Sequence, residues 1–541
     1  MEHDSIRGQL TIRGLITGIL GLIVITASSV YVALRMGALP WPTVFVTVVS
    51  LAVLGRLKQS TLMEINTTHT LMSAGAMVAG GLAFTIPGIW MLNPEAKVPV
   101  YQLLVLAITG AILGTLFTML ARPRFIEREA LPYPMGQAAY QTLIAGTKGG
   151  SSAIWLFSCL AISAVFTLLR DGFSLIPAAL ILYGGGLAFQ PIAIWISPMA
   201  AGIGAIIGPA LSLFWLGGAI FGYLLLIPFG LDAGIFADMA AADVFRQNLG
   251  IGLMVGTGLG ILAKVLWERS RTFIKHIRHT EQPKQSALML SGKNRWYFAL
   301  TLVAAVLLLT IGTEITLLQA IITVIGIYLA TNLAATLTGQ TGINPMEILG
   351  ILVLLAVQAI WMPTTIAAFS IAAVVAISCG LTGDMMNDLK SGHMVGTNPK
   401  AQFIAEGIGG IVGAVVAVIA LLVLKQAYGT FGTEQLPAPQ AAAVSSMVQG
   451  IGHIGAFVAG VVIGALLYLA KFPAATLGLG VYLPFSISAI MGFGALVLMA
   501  VRKIGGPKAA KAISDKTPLV ASGFLGGEGI TGVLLAIIAM F

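Results

Sequence analysis

The chain has 541 residues, of which 57% are hydrophobic and only 9% charged, and its mean hydropathy is +0.97. Soluble domains carry roughly 25% charged residues, so this composition excludes a soluble multidomain enzyme and turns most of the surface away from water. A net charge of +9 does not make the chain a nucleic-acid binder, because in a membrane protein such an excess collects in cytoplasmic loops.

A bilayer-spanning helix needs about 20 apolar residues. On that ruler candidate spans fall at 14–35, 39–55, 66–90, 101–121, 152–169, 173–196, 203–229 and 248–267. After a polar gap come 296–312, 316–336, 346–362, 364–382, 401–425, 446–470, 478–500 and 517–541, with 173–196 and 364–382 the weakest segments. The expected fold is an all-α polytopic membrane protein of about sixteen spans. Continuous apolar blocks, rather than short alternating strands, exclude an outer-membrane barrel. The N-terminal apolar run is too long for a cleavable signal and has no evident cleavage site, so it reads as the first span.

Basic residues set the orientation. Arg7, Arg13, Arg56, Lys58, Arg122, Arg124, Arg128 and the block from Arg269 to Arg295 all become cytoplasmic when the first eight spans are threaded from an inside N-terminus. The acidic loop with Asp232, Asp238 and Asp243 then lies outside.

Residues 268–295 form the one basic linker and divide the chain into 1–267 and 296–541. The halves echo each other in order: 31–45 with 333–347, 207–222 with 482–497, and 248–262 with 519–533. Duplicated halves meeting at a midplane cavity are a transporter architecture; chance likeness between Gly-rich apolar helices is the bland alternative. The cluster Arg502, Lys503, Lys508, Lys511 and Lys516 argues for an inverted repeat, span counting does not agree, and the relative orientation stays open.

The 65 glycines include spaced pairs such as Gly204 with Gly208 and Gly409 with Gly413, which suit close helix contact. Pro132, Pro134 and Gly136 interrupt 131–146, and 383–399 is polar and Gly-rich between two spans. Both read as re-entrant or broken helices, tolerated where they line a cavity; ordinary surface loops are the alternative.

Helical spacing gathers polar groups in three places. Asn66, His69, Thr70 and Ser73 fall on one stripe, Gln137, Tyr140 and Gln141 on another, and Asp384, Asp388 and Ser391 share a face, with Lys390 able to reach either acid. Such groups are costly in a bilayer and face a pathway or a partner helix. Glu64, Glu347, Glu406 and Glu528 are the other carboxylates in or near spans. Glu528 sits in GGEGITG with no cation nearby in sequence, so it reads either as a proton carrier or as half of an ion pair completed elsewhere.

Other chemistry is missing. Cys159 and Cys379 lie in apolar runs and suggest core packing, with no disulfide framework or metal site. No HExxH or GxxxxGK[ST] motif occurs, and GLTGD at 380–384 is one residue too long for the aspartyl-protease GxGD, with no second aspartate motif. Six histidines and two cysteines argue against haem or iron–sulfur cofactors. Uphill movement would therefore draw on an ion gradient, and no cofactor is expected.

The stretches 64–90, 131–150, 338–355, 383–402, 482–489 and 519–534 resemble the oligopeptide transporter family, closest to its prokaryotic branch related to the yellow-stripe-like metal-chelate carriers. The likeness covers nearly the whole chain in order. It implies a proton-coupled symporter that imports small peptides or peptide-like metal chelates across the inner membrane. It also implies roles for Glu64, Asn66, Ser73 and Gly75, for Pro132, Pro134 and Gly136, for Asp384, Asp388, Lys390, Gly392 and Gly396, and for Glu528 as the family's C-terminal glutamate.

Combined with the stripes, this nominates Asn66, His69, Thr70, Ser73, Tyr133, Gln137, Tyr140, Gln141, Asn344, Lys390 and His393 for substrate. Glu64, Asp384, Asp388, Glu406 and Glu528 are nominated for protons, and Pro132, Pro134, Gly136, Gly392 and Gly396 as hinges. The family usually has glutamates where Ala76, Met135 and Gln141 stand. Cation handling is therefore expected in the second half, at Asp384, Asp388 and Glu528, and the neutral first half suits a zwitterionic or anionic solute better than a bare metal ion. A passive channel is the competing reading, an intramembrane enzyme a weaker one. The expected partners are the solute, protons and lipid, and the apolar surface suggests a homodimer.

Overall fold

The computed structural model describes residues 6–37, 39, 43–57, 59–147, 152–184, 192–276, 293–341, 344–433, 435–449 and 453–538. Lys58 and residues 277–292 of the basic linker lie outside them. Two compact units divide the chain, one of Met1–Phe173, Met289–Gln449 and Pro518–Phe541, the other of Ser174–Leu288 and Gly450–Thr517. Each unit therefore draws on both sides of the linker.

The first unit starts with α1 (Ile6–Gln9), α2 (Ile12–Met36), α3 (Thr43–Leu54), α4 (Leu62–Ala83), α5 (Pro87–Leu92), α6 (Val100–Arg122), α7 (Pro134–Thr147) and α8 (Ser152–Thr167). Turns of π-helix extend α6 over Pro123–Arg128 and α8 over Leu168–Gly172. The second unit follows with β1 (Ala179–Tyr183), β2 (Ile192–Trp195), α9 (Pro198–Ile207), α10 (Pro209–Ile220), α11 (Ile227–Asp232) and α12 (Met239–His276). The chain returns to the first unit for α13 (Lys293–Gly312), α14 (Leu317–Thr341), α15 (Met346–Ile360), α16 (Thr365–Val395), α17 (Pro399–Tyr428) and α18 (Pro439–Gln449). It then supplies the second with α19 (Ile454–Leu469), α20 (Ala474–Tyr482) and α21 (Phe485–Ile504). Finally α22 (Gly506–Ile538) starts in the second unit and joins the first from Pro518 onward.

Among the described residues, eleven helices are long and apolar enough to cross a bilayer. Four more, at Phe45–Leu54, Pro198–Ile207, Met346–Ile360 and Ile454–Leu469, are apolar but shorter. The expected count of about sixteen full spans is not reached among the described residues, partly because of breaks. The segment 203–229 divides at Gly208, whose φ of 95° no L side chain adopts easily, followed by Pro209 at the start of α10. The segment 173–196 holds no helix among its described residues. Its described residues include an antiparallel hairpin pairing Ala179 with Trp195, and their β-branched and aromatic side chains suit a strand.

The expected break over 383–399 is also corrected. Helix α16 runs unbroken through Gly383, Asp384 and Asp388 to Val395. Thr364 caps its start by accepting from the Ala367 N–H, and Gly396, at φ 88°, ends it. Asn398 and Pro399 then open α17. Low helix propensity at Gly, Asn and Asp is overridden here by burial on every side. The segment 364–382 is accordingly the first part of the most buried candidate span among the described residues.

Helices α4 and α16 are the axis of the first unit, buried along nearly all their length. Glycines set how closely they are wrapped. A Cβ on Gly413 would stand 2.4 Å from the Gly75 Cα, and one on Gly81 would stand 2.6 Å from the Ile377 nitrogen. Backbone therefore meets backbone where α4 crosses α17 and α16, the close approach that small residues permit in membranes. The second unit uses the same device. Cβ atoms on Gly252 and Gly256 would strike the Phe457 and Val461 carbonyls at 2.3 and 2.1 Å, so α12 and α19 lie in direct contact.

Candidate functional site

The stripe on α4 meets α16 and α17 inside the first unit. Asn66, His69, Thr70, Ser73, Asp384, Asp388, Ser391, Gln402 and Glu406 are all buried. Asn66 Nδ2 donates to Ser391 Oγ at 2.8 Å and its Oδ1 accepts from Thr397 Oγ1 at 3.0 Å. Ser73 Oγ donates to Asp388 Oδ2 at 2.9 Å. Gln402 Nε2 bridges the Asp388 carbonyl at 2.7 Å and Thr70 Oγ1 at 3.2 Å. Gly392 makes room for that amide, since a Cβ there would lie 2.1 Å from Gln402 Oε1.

His69 lies between α3 and α16, with Nδ1 3.4 Å from Thr47 Oγ1 and Nε2 3.3 Å from Asp388 Oδ1. The Nε2 contact is close without the alignment of a hydrogen bond. Asp384 and Glu406 are fully buried, and none of their four carboxylate oxygens has a hydrogen-bond partner among the described residues. Glu406 interacts electrostatically with both Asp384 and Asp388, so the three acids form one group. No described lysine or arginine is ion-paired with any of them.

Magnitudes decide how to read this cluster. An interhelical hydrogen bond in a bilayer contributes about 0.6 kcal/mol on average, whereas a buried carboxylate without a counter-charge costs several times that. Three such acids are a net burden on stability, which is the mark of groups kept for their chemistry.

The broken segment reaches the same helix. Tyr133, at φ 45°, is pinned to α14 by its N–H on the Gly339 carbonyl at 2.9 Å and its hydroxyl on the Ala335 carbonyl at 3.0 Å. Pro134 then starts α7, and the Gly136 N–H donates to Asn387 Oδ1 at 3.1 Å, between the two aspartates in sequence. A Cβ on Gly136 would stand 2.3 Å from the Asn387 carbonyl. Helix α7 spans only about 21 Å at 1.5 Å per residue, too short to cross, as expected.

Among the described residues, the other nominated groups are not hydrogen-bonded to the three clustered acids. Gln137 Nε2 bonds the Pro132 carbonyl at 2.9 Å, Tyr140 is half-buried, and Gln141 is exposed. Asn344 Nδ2 donates to the Cys379 carbonyl at 2.7 Å, beside Gly383. Lys390 is half-buried and ion-paired with neither aspartate, and His393 is exposed. Glu64 has its own cation, Arg13, whose Nε and Nη2 each lie 2.7 Å from a carboxylate oxygen; Thr11 Oγ1 adds a further bond.

Glu528 requires a correction. A cation does lie beside it: Arg170 Nη2 donates to Glu528 Oε1 at 2.8 Å, with both side chains fully buried. Arg170 also holds Asp171, which in turn receives Arg35 Nη1 at 3.3 Å. Of the two readings the sequence left open, the ion pair is the one formed.

Sequence reasoning passed over Gln402, Thr397, Thr47 and Asn387 at the cluster, and Arg35, Arg170 and Asp171 at Glu528. Asn387 and Gln402 lay within a stretch already singled out, 383–402, and Arg170–Asp171 is a charged pair at the end of an apolar run. Thr47 carries no signal in an apolar helix.

A family profile described as OPT oligopeptide transporter protein matches residues 9–539. A Haemophilus influenzae protein (strain ATCC 51907 / DSM 11121 / KW20 / Rd) named "Putative oligopeptide transporter" is 25% identical over 585 aligned positions, covering 94% of this chain and 92% of that protein.

Proposed function

The chain belongs to the OPT oligopeptide transporter family, and from that premise we propose that it is a proton-coupled secondary carrier importing small oligopeptides or peptide-like metal chelates by alternating access. The observation that carries the reading is the group Asp384, Asp388 and Glu406, sealed from water beside His69 without a paired lysine or arginine among the described residues. Like charges this close, in a medium of low dielectric constant, cannot all persist without compensation. Protons are the smallest compensating charge, and an acid cluster that can be occluded only when neutralised couples proton entry to the conformational change.

The amide and hydroxyl groups of Asn66, Thr70, Ser73 and Gln402 suit the polar backbone of a peptide once the helices part. Tyr133 holds the start of α7 to α14 and Gly136 holds it to α16 at Asn387, so a hinge at Pro132, Pro134 and Gly136 would move α7 relative to the acids. The carrier is assigned to the inner membrane with a cytoplasmic N-terminus, which satisfies the distribution of basic residues. The two sequence halves are read as a duplication.

The test is uptake in proteoliposomes under an imposed pH gradient, with a panel of short peptides and metal chelates. Saturable uptake that follows the proton gradient and is competed by unlabelled peptide supports the reading. Non-saturating flux indifferent to the gradient would replace it with a channel.

A further inference from the structure

The first unit holds a second buried charge group. Arg35 comes from α2, Arg170 and Asp171 from the π-helical turn after α8, and Glu528 from α22. Arg170 meets Asp171 fork to fork, Nε to Oδ1 at 2.7 Å and Nη2 to Oδ2 at 2.6 Å, while Nη2 also reaches Glu528 Oε1 at 2.8 Å. Arg35 approaches Asp171 Oδ2 at 3.3 Å and also bonds the Tyr31 hydroxyl, with its guanidinium 5.6 Å from that ring's centroid.

We propose that Arg170, backed by Arg35, is the receptor for the free C-terminal carboxylate of a transported peptide, and that Asp171 occupies this receptor until the substrate displaces it. The assignment rests on the peptide reading above.

Three features carry it. The two carboxylates on Arg170 are unlike in access. The Glu528 side chain is 0% exposed and Arg170 is 0% exposed, but Asp171 is 22% exposed, so it alone stands where an incoming group could replace it. Glu528 is fixed, because the glycines around it press α22 onto its neighbours. A Cβ on Gly527 would lie 2.3 Å from the Leu160 carbonyl of α8, and one on Gly529 would lie 2.1 Å from Ser28 Oγ of α2. Glu528 thus orients the guanidinium while Asp171 fills its bidentate face, the geometry by which arginine recognises any carboxylate.

Charge balance points the same way. Exchange of Asp171 for a peptide carboxylate replaces one negative charge on Arg170 with another. A purely structural role is a poor explanation for the set. Arginine within a span costs about 3 kcal/mol on insertion scales, and apolar residues of similar volume hold helices together at least as well.

The experiment compares trialanine with trialanine amide as substrates of the full chain in proteoliposomes, in wild type, Asp171→Asn and Arg170→Lys. In wild type the amide should have the higher KM. Asp171→Asn removes the competing carboxylate from Arg170, so the ratio of KM for amide over acid should rise by about tenfold, the worth of one charge-assisted hydrogen bond. Arg170→Lys, which offers a point charge instead of a fork, should bring the ratio towards one. If that variant does not fold, Asp171→Asn decides alone, with thermal shifts by the two ligands as a second readout. An unchanged ratio in Asp171→Asn overturns the assignment and leaves peptide transport standing. No uptake of either compound by wild type overturns both.

Discussion

His69 Nε2 lies 3.3 Å from Asp388 Oδ1, two fully buried side chains from α4 and α16 brought together across more than 300 positions of sequence. Asp388 has one oxygen on the Ser73 hydroxyl and the other facing the imidazole. Ser73 ties its carboxylate and Gln402 holds its carbonyl as well. Asp388→Asn keeps the shape and removes the charge. Gradient-driven uptake should fall by at least about tenfold, while exchange of labelled for unlabelled peptide, which needs no net proton movement, should persist. Loss of both together would make Asp388 a folding residue.

Asp384 and Glu406 carry the opposite signature in stability. Their oxygens are buried without hydrogen bonds among the described residues, so replacing either by its amide removes a burden as well as a function. Asp384→Asn and Glu406→Gln should keep or raise the melting temperature, by about 2–4 °C for roughly 1 kcal/mol, while gradient-driven uptake is lost. A lower melting temperature with uptake intact would show the acids to be structural.

Glu64 should behave differently, although it lies on the same helix. Arg13 neutralises it through two bonds and is 36% exposed, so the pair is partly wet. Glu64→Gln should leave uptake within about twofold of wild type and lower stability slightly. Transport abolished by Glu64→Gln in a folded protein would move the proton path to the start of α4.

The crossing of α4 over α17 has no room for a side chain. With a Cβ on Gly413 only 2.4 Å from the Gly75 Cα, Gly413→Leu must push the helices apart. A cost of at least about 2 kcal/mol is expected, read as lost folded yield in detergent and a lower melting temperature. A variant of wild-type stability would mean that the two helices part readily.

The membrane character of the chain was legible because a bilayer imposes long apolar runs that composition alone reveals. The α4 stripe and the Asp384–Asp388 pair were legible for a local reason, since residues three and four apart share a face. Their joining was not. Nothing in sequence says that Asn66 faces Ser391 or that Glu406 completes the acid group, because those relations depend on how glycines let helices cross. The false break at 383–399 came from reading Gly, Asn and Asp by propensity, where enclosure by neighbouring helices decided the outcome. Glu528 looked unaccompanied because its cation lies 358 positions away.

The most direct test follows protons and peptide at once, in proteoliposomes loaded with a pH-sensitive dye and given peptide with no gradient imposed. Peptide addition should acidify the lumen in wild type, in proportion to the peptide taken up, and the acidification should vanish in Asp388→Asn. Peptide accumulation with no change in luminal pH would contradict proton coupling at the buried acids.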